Sequence, residues 1–207
     1  MSSALIIIGL CGRSGSGKGY VCSIFEQFGI PCIDTDRVYR ELVSDAESPC
    51  LSELCECFGK GILTEDKALD RRTLAKIVFA KGNEEKLKKL NGITHKYILK
   101  RTEEIISEYE GQGFGAVVID APVLFESGFD KLCHITLCVS APEDILVSRI
   151  CLRDGRSESE ARLRLASQKS EEELLRRCDE VIVNDGVCNI RDSVCGFIEK
   201  YKLRGKS

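Results

Sequence analysis

No stretch of this chain approaches the roughly 20 consecutive apolar residues that a membrane-spanning helix needs. The opening segment, MSSALIIIGL, has no cationic region ahead of its apolar run, and that run stops at a glycine-rich turn. It therefore reads as a first strand rather than a signal peptide, and a cytoplasmic location is expected. A basic excess is missing as well: the net charge is −3. Duplex-binding proteins carry a basic face to neutralise phosphates, so a nucleic-acid partner is not expected. A small anionic ligand stays open, because a few arginines focused in one cleft suffice to hold it. Histidine is scarce, with only His95 and His134, and no two cysteines stand in a C-x2-C pair. The twelve thiols, scattered from Cys11 to Cys195, are thus read as small reduced apolar side chains, not as a disulfide framework or a metal site. Internal repeats and low-complexity tracts are also absent.

What is present suits a globular chain. At 207 residues it can bury a sizeable core, and 43% hydrophobic residues beside 30% charged ones is a soluble composition. Five short apolar segments, Leu5 to Leu10, Ile30 to Ile33, Gly115 to Asp120, His134 to Val139 and the EVIV of EVIVND, read as strands buried on both faces. Between the first two, Val21, Ile24, Phe25 and Phe28 fall on one helical stripe, and Gly29 stands where a helix cap is expected. From Val38 to Gly111 the strand signal fades and helical patterns take over. Pro142 marks a helix start, and Ser157 with Glu160 and Ser170 with Glu173 read as capping boxes. Strands alternating with helices imply a parallel sheet covered on both faces. With Gly12 to Lys18 fitting the phosphate-loop pattern G-x-x-x-x-G-K, the expected organisation is an α/β, three-layer P-loop core (1–40, 112–151 and 176–207), a helical insertion (41–111) and a helical lid (152–175).

The segment Gly12-Arg13-Ser14-Gly15-Ser16-Gly17-Lys18-Gly19 fits G-x-x-x-x-G-K and lacks only the final hydroxyl residue. Glycines let main-chain N–H groups converge on phosphate oxygens, the following helix offers its positive end, and the lysine neutralises charge. In P-loop enzymes the missing hydroxyl supplies one of about six magnesium ligands, the rest coming from phosphates, water and an acidic residue. Nucleotide binding is therefore expected to persist, with weaker or slower magnesium-dependent chemistry. Asp34, Asp36 and Asp120 are candidates for the acidic ligand, since each ends or follows an apolar strand. Arg149, Arg153, Arg156, Arg162 and Arg164 cluster in a helical segment that suits a lid over a transferring phosphoryl group. Arg156 and Arg162 read as a solvated face, and His134 as structural.

With the loop, IDTDRVYRE, LDRRTLAKIVF, IDAPVLFESGFDKL, RDGRSESEARLRLASQ and VIVNDG together, the chain resembles the dephospho-coenzyme A kinases over roughly residues 5 to 200. The resemblance implies phosphorylation of the ribose 3′-hydroxyl of dephospho-CoA with ATP and Mg2+, by a monomer or small homo-oligomer. It implies that Asp36 is the catalytic base and that Arg149 approaches the transferring phosphoryl group; Lys18, by its place in the loop, acts on the phosphates, and Asp120 and Asp34, at strand ends, are the metal candidates. Gly12 to Tyr20 and Asn184 match nucleotide-binding positions, the latter near adenine. Arg40, His95, Pro122, Leu124 and Glu126 match positions around the acceptor. The chain departs from the family pattern at Gly19, Tyr20, Lys96 and Val183. Another small-molecule P-loop kinase, acting on nucleosides or nucleoside monophosphates, and a nucleotide-binding protein weakened at Gly19 are the competing readings.

Overall fold

The computed structural model describes residues 5–80 and 82–206; the first four residues of the opening segment and Ser207 lie outside the described residues. In chain order the elements are β1 (Ile6–Cys11), α1 (Lys18–Gln27), β2 (Cys32–Asp34), α2 (Thr35–Ser44), α3 (Pro49–Phe58), α4 (Arg71–Val78), α5 (Glu84–Gly111) and β3 (Ala116–Asp120). There follow β4 (Ile135–Ser140), α6 (Glu143–Asp154), α7 (Glu158–Ala166), α8 (Glu171–Arg177), β5 (Glu180–Val183) and α9 (Ile190–Lys200). The chain divides into two compact units, Met1–Ile33 with Ile106–Ser207, and Asp34–Ile105.

The first unit is built on a five-stranded parallel sheet ordered β2-β3-β1-β4-β5, in which β1 lies between β3 and β4. Every residue of β1 from Ile8 to Cys11 is buried, as expected of a strand covered on both faces. On one face Ile8, Leu10, Leu137 and Val139 meet Val21 and Phe25 of α1 and Val194 and Phe197 of α9. Phe25 and Phe197 pack edge to face at 5.9 Å between ring centroids. Each large side chain so buried stabilises the fold by about 1.5–3 kcal/mol relative to exposure. A second cluster, with Leu146, Ile150, Ala161 and Leu165, ties α6 to α7.

Local signals place the boundaries. Gly29, at φ 73°, follows α1, and the N–H groups of Gly29 and Ile30 donate to Glu26 O and Phe25 O, closing the last turn. Ser157 caps α7 with both bonds of a capping box. At α8 only half of the expected box forms: Ser170 accepts from Glu173 N, while the Glu173 carboxylate is drawn to Lys169. The bridge of opposite charges outcompetes the return bond to the backbone. His134 is structural, its Nδ1 accepting from Ile7 N at 3.0 Å.

The second unit is helical, as the fading strand signal implies. Val43, Leu51, Leu54, Ile62, Leu74, Val78 and Ile93 form its core. Asp70 caps α4 by accepting from Arg72 N and Thr73 N, and Leu69 N donates to Val43 O at 3.0 Å.

Candidate functional site

The loop between β1 and α1 has the backbone that only glycine sustains. Gly12, Gly15 and Gly17 have φ of 150°, 84° and 98°. A Cβ on Gly12 would lie 2.4 Å from Val139 O, and one on Gly17 would lie 2.2 Å from Asn184 Nδ2. Lys18 is the first residue of α1, and its Nζ donates to Gly12 O at 3.2 Å, so the ammonium is held against the loop. The first turn of α1 carries no acidic side chain to cancel its positive end. Gly19, the next residue, is exposed, and nothing lies within 4 Å of where its Cβ would stand. Tyr20 is 56% exposed.

Side chains from three later elements fix the loop. Asn184, buried just past β5, donates Nδ2 to Ser16 O at 2.7 Å. Its Oδ1 accepts from Arg149 Nη2 at 3.0 Å, and Arg149 Nη1 reaches Gly15 O at 3.3 Å. Arg13 Nη2 donates to Leu165 O at 3.1 Å, and its Nη1 pairs with Glu143 at 3.4 Å. Ser14 N donates to Gln168 Oε1 at 2.9 Å, while Arg153 reaches Ser14 Oγ. Gln168, which ends the RLRLASQ stretch, is a loop anchor that sequence reading assigned no role. Its only signal was its place within the quoted motif.

A cleft of about 370 Å³ opens beside the loop, lined among others by Gly12, Arg13, Pro122, Glu126, Gln168 and Lys169. Two of the residues expected around the acceptor, Pro122 and Glu126, are therefore on its wall, and Glu126 pairs with Lys169 at 3.8 Å. Leu124, the third of these residues, is fully buried, with a methyl 3.0 Å from the Cβ position of Gly9. The Asn184 side chain likewise has both ends engaged by the loop and by Arg149.

Asp120 ends β3, and its Oδ2 lies 3.9 Å from Cys22 Sγ. Asp34 is the N-cap of α2: Oδ1 accepts from Arg37 N at 3.0 Å, and Oδ2 lies 3.4 Å from Arg40 Nη2. The structure thus gives Asp34 and Arg40 a cap and its counter-ion. Asp36 is exposed in the first turn of the same helix. His95 is half-buried on α5. In the arginine-rich segment, the Arg153 guanidinium bonded to Asp154 holds that carboxyl below the usual range. Arg162 pairs with Glu143, Asp144 and Glu158 on the surface, the solvated face expected of it.

Amide donors converging at a helix N-terminus beside a lysine form an anion site, and a strand-end carboxylate such as Asp120 adds a hard oxygen donor suited to magnesium. The family model described as Dephospho-CoA kinase matches residues 6–189. A dephospho-CoA kinase of Carboxydothermus hydrogenoformans is 38% identical over 97% of this chain and 96% of its own. One of Bacillus cereus is 39% identical over 96% and 98%. A solved protein of Thermus thermophilus superposes with a TM-score of 0.82 at 31% identity, covering 96% of this chain and 98% of that one. By sequence, over nearly its whole length, the chain belongs to the dephospho-CoA kinase family.

Proposed function

We propose that this protein transfers the γ-phosphoryl group of ATP to the ribose 3′-hydroxyl of dephospho-CoA, yielding coenzyme A and ADP. The observation that carries this reading is the glycine-only cradle at the start of α1, with Lys18 and a cleft beside it, in a chain that matches its relatives end to end.

Amides of the glycine loop and Lys18 bind the β and γ phosphates, and the positive end of α1 adds to their attraction. Asp36 accepts the proton of the 3′-hydroxyl as its oxygen bonds to the γ-phosphorus, while the bond to the β-phosphate oxygen breaks and ADP leaves. Magnesium, when bound, neutralises charge on the β and γ phosphates, and Asp120 is the side chain suited to hold it, with Asp34 committed to its cap. Arg149 acts from beneath the loop, its charge fixed on Gly15 O, countering the negative charge of the transferring group. Pro122 and Glu126, on the cleft wall, contact the acceptor. The segment spanning α7 and α8 closes over the reaction and excludes water.

The test is ATP-dependent turnover across a panel of acceptors. Dephospho-CoA should be phosphorylated in preference to nucleosides and nucleoside monophosphates; no ADP formed with dephospho-CoA present would overturn the reading. Replacing the base isolates the chemical step. Asp36→Asn should lower kcat by about 10²–10⁴, the usual worth of general-base catalysis, while calorimetric ATP affinity stays close to that of the parent. Undiminished turnover would remove Asp36 from this role.

A further inference from the structure

Three cysteines far apart in sequence converge directly beneath the phosphate loop. Cys11 ends β1 and is bonded to Gly12, and Cys138 stands opposite it in the neighbouring strand β4. Cys178 follows the last turn of α8. Their sulfurs all lie within 4.8 Å of one another, with Cys11 and Cys178 at 3.3 Å. All twelve cysteines of the chain are thiols.

The cluster is held in place, not gathered by chance packing of mobile side chains. Cys11 and Cys138 are 0% and 1% exposed on adjacent strands. Cys178 is fixed by its neighbour Asp179, whose carboxylate accepts from Thr136 N and Oγ1 at 2.8 and 2.7 Å. Tetrahedral sulfur ligands at 2.3 Å from zinc stand about 3.8 Å apart, so the three thiols need only a small adjustment to share an ion. A small cavity beside Cys138, about 10 Å³, is lined also by Ser16 and Ser140, and offers room for roughly one water-sized ligand. Ser16 Oγ, in a residue 1% exposed, has no hydrogen-bond partner among the described residues. A fourth ligand in that cavity would satisfy it.

We propose that Cys11, Cys138 and Cys178 form a binding site for one thiophilic divalent d10 cation, of which zinc is the biological example. Three metal–sulfur bonds form, the three S–H bonds break with their protons released to solvent, and the filled site carries a net charge of −1. A monovalent ion would leave −2, at a greater cost for burial. Neither phosphoryl transfer nor the choice of acceptor enters this assignment. An occupant would tie β1, β4 and the entry to β5 together one residue from the loop.

The probe is Cd2+ added to the reduced, chelator-stripped full-length protein, followed through sulfur-to-metal charge-transfer absorption, with Zn2+ then added as competitor. The expected result is uptake of one equivalent per chain that Zn2+ displaces. Cys178→Ser should weaken uptake at least about tenfold, as loss of one of three ligands requires, and a Cys57→Ser/Cys188→Ser double variant at two exposed thiols should match the parent. Absence of the band, or a Cys178→Ser protein that binds as the parent does, overturns the proposal. Alkylation of the wild-type chain removes any dependence on how the variant folds. Zn2+ should slow modification of Cys178 and leave Cys57 and Cys188 unaffected; equal rates at Cys178 with and without zinc would also overturn it.

Discussion

Gly19 sits where P-loop enzymes place a hydroxyl, and its surroundings decide what the substitution means. It has open space around its Cβ position and lies outside the left-handed region that its neighbour Gly17 occupies. Nothing in the backbone or the packing demands glycine there. The phosphate cradle rests on Gly12, Gly15, Gly17 and Lys18, so under the proposed function the deficit is one magnesium ligand that water can replace. Gly19→Ser should therefore be accepted without rearrangement, and it should also stabilise α1 by about 0.5 kcal/mol through its better helix propensity. Turnover measured against magnesium concentration should show half-saturation at a level lower by about threefold or more, the effect of restoring one inner ligand. Identical magnesium curves for parent and variant would show that position 19 has no part in metal handling.

Between elements, the loop depends on a clamp that runs from the end of β5 to α6. Asn184 links Ser16 O to Arg149, and Arg149 reaches back to Gly15 O. Because Asn184 is buried, removing its amide leaves the Ser16 carbonyl without its side-chain donor and Arg149 with Gly15 O alone. Asn184→Ala should destabilise the fold by about 1–3 kcal/mol, the usual cost of orphaning buried polar groups. It should also weaken ATP binding about tenfold, since the amides lose their common orientation. Denaturant unfolding and calorimetry read the two effects separately. An unchanged ATP affinity would limit Asn184 to a role in stability.

Over the whole molecule, several carboxylates lie below their ordinary range in the folded state. Thr73 hydrogen bonds do this for Asp70 at the start of α4, Arg153 does it for Asp154, and Lys169 for Glu173. A folded-state value below the unfolded one means that the unfolded chain binds more protons, so the stabilisation is complete above the usual carboxylate range near pH 4. It is lost as pH falls through that range and then through the lower folded values. The melting temperature should hold steady from pH 7 to about 5 and drop below about pH 4. Asp70→Asn should flatten that drop and lower the plateau. A melting temperature unchanged down to pH 3 would contradict this account.

The α/β alternation, the strands and the loop were legible because each is set by local physics. Apolar β-branched runs bury on two faces, a 3.6-residue stripe makes α1 amphipathic, and the positions of Gly12, Gly15 and Gly17 in the motif announce a backbone turned toward phosphate. Asp36 and Asp120 were candidates because they stand at or just past the ends of apolar runs. What lay beyond the sequence was every relation across the sheet. Leu124 was expected around the acceptor, and only the fold shows that its methyls pack against Gly9. Gln168 and Asn184 became loop anchors only when α8 and β5 folded back beside β4. Cys11, Cys138 and Cys178, separated by up to 167 residues, looked scattered until parallel pairing of β1 with β4 and the docking of α8 brought their sulfurs together. Sequence by itself determined the elements and the phosphate cradle, since those follow from neighbours along the chain; which side chains share a site was decided by strand order, a property of the folded sheet alone.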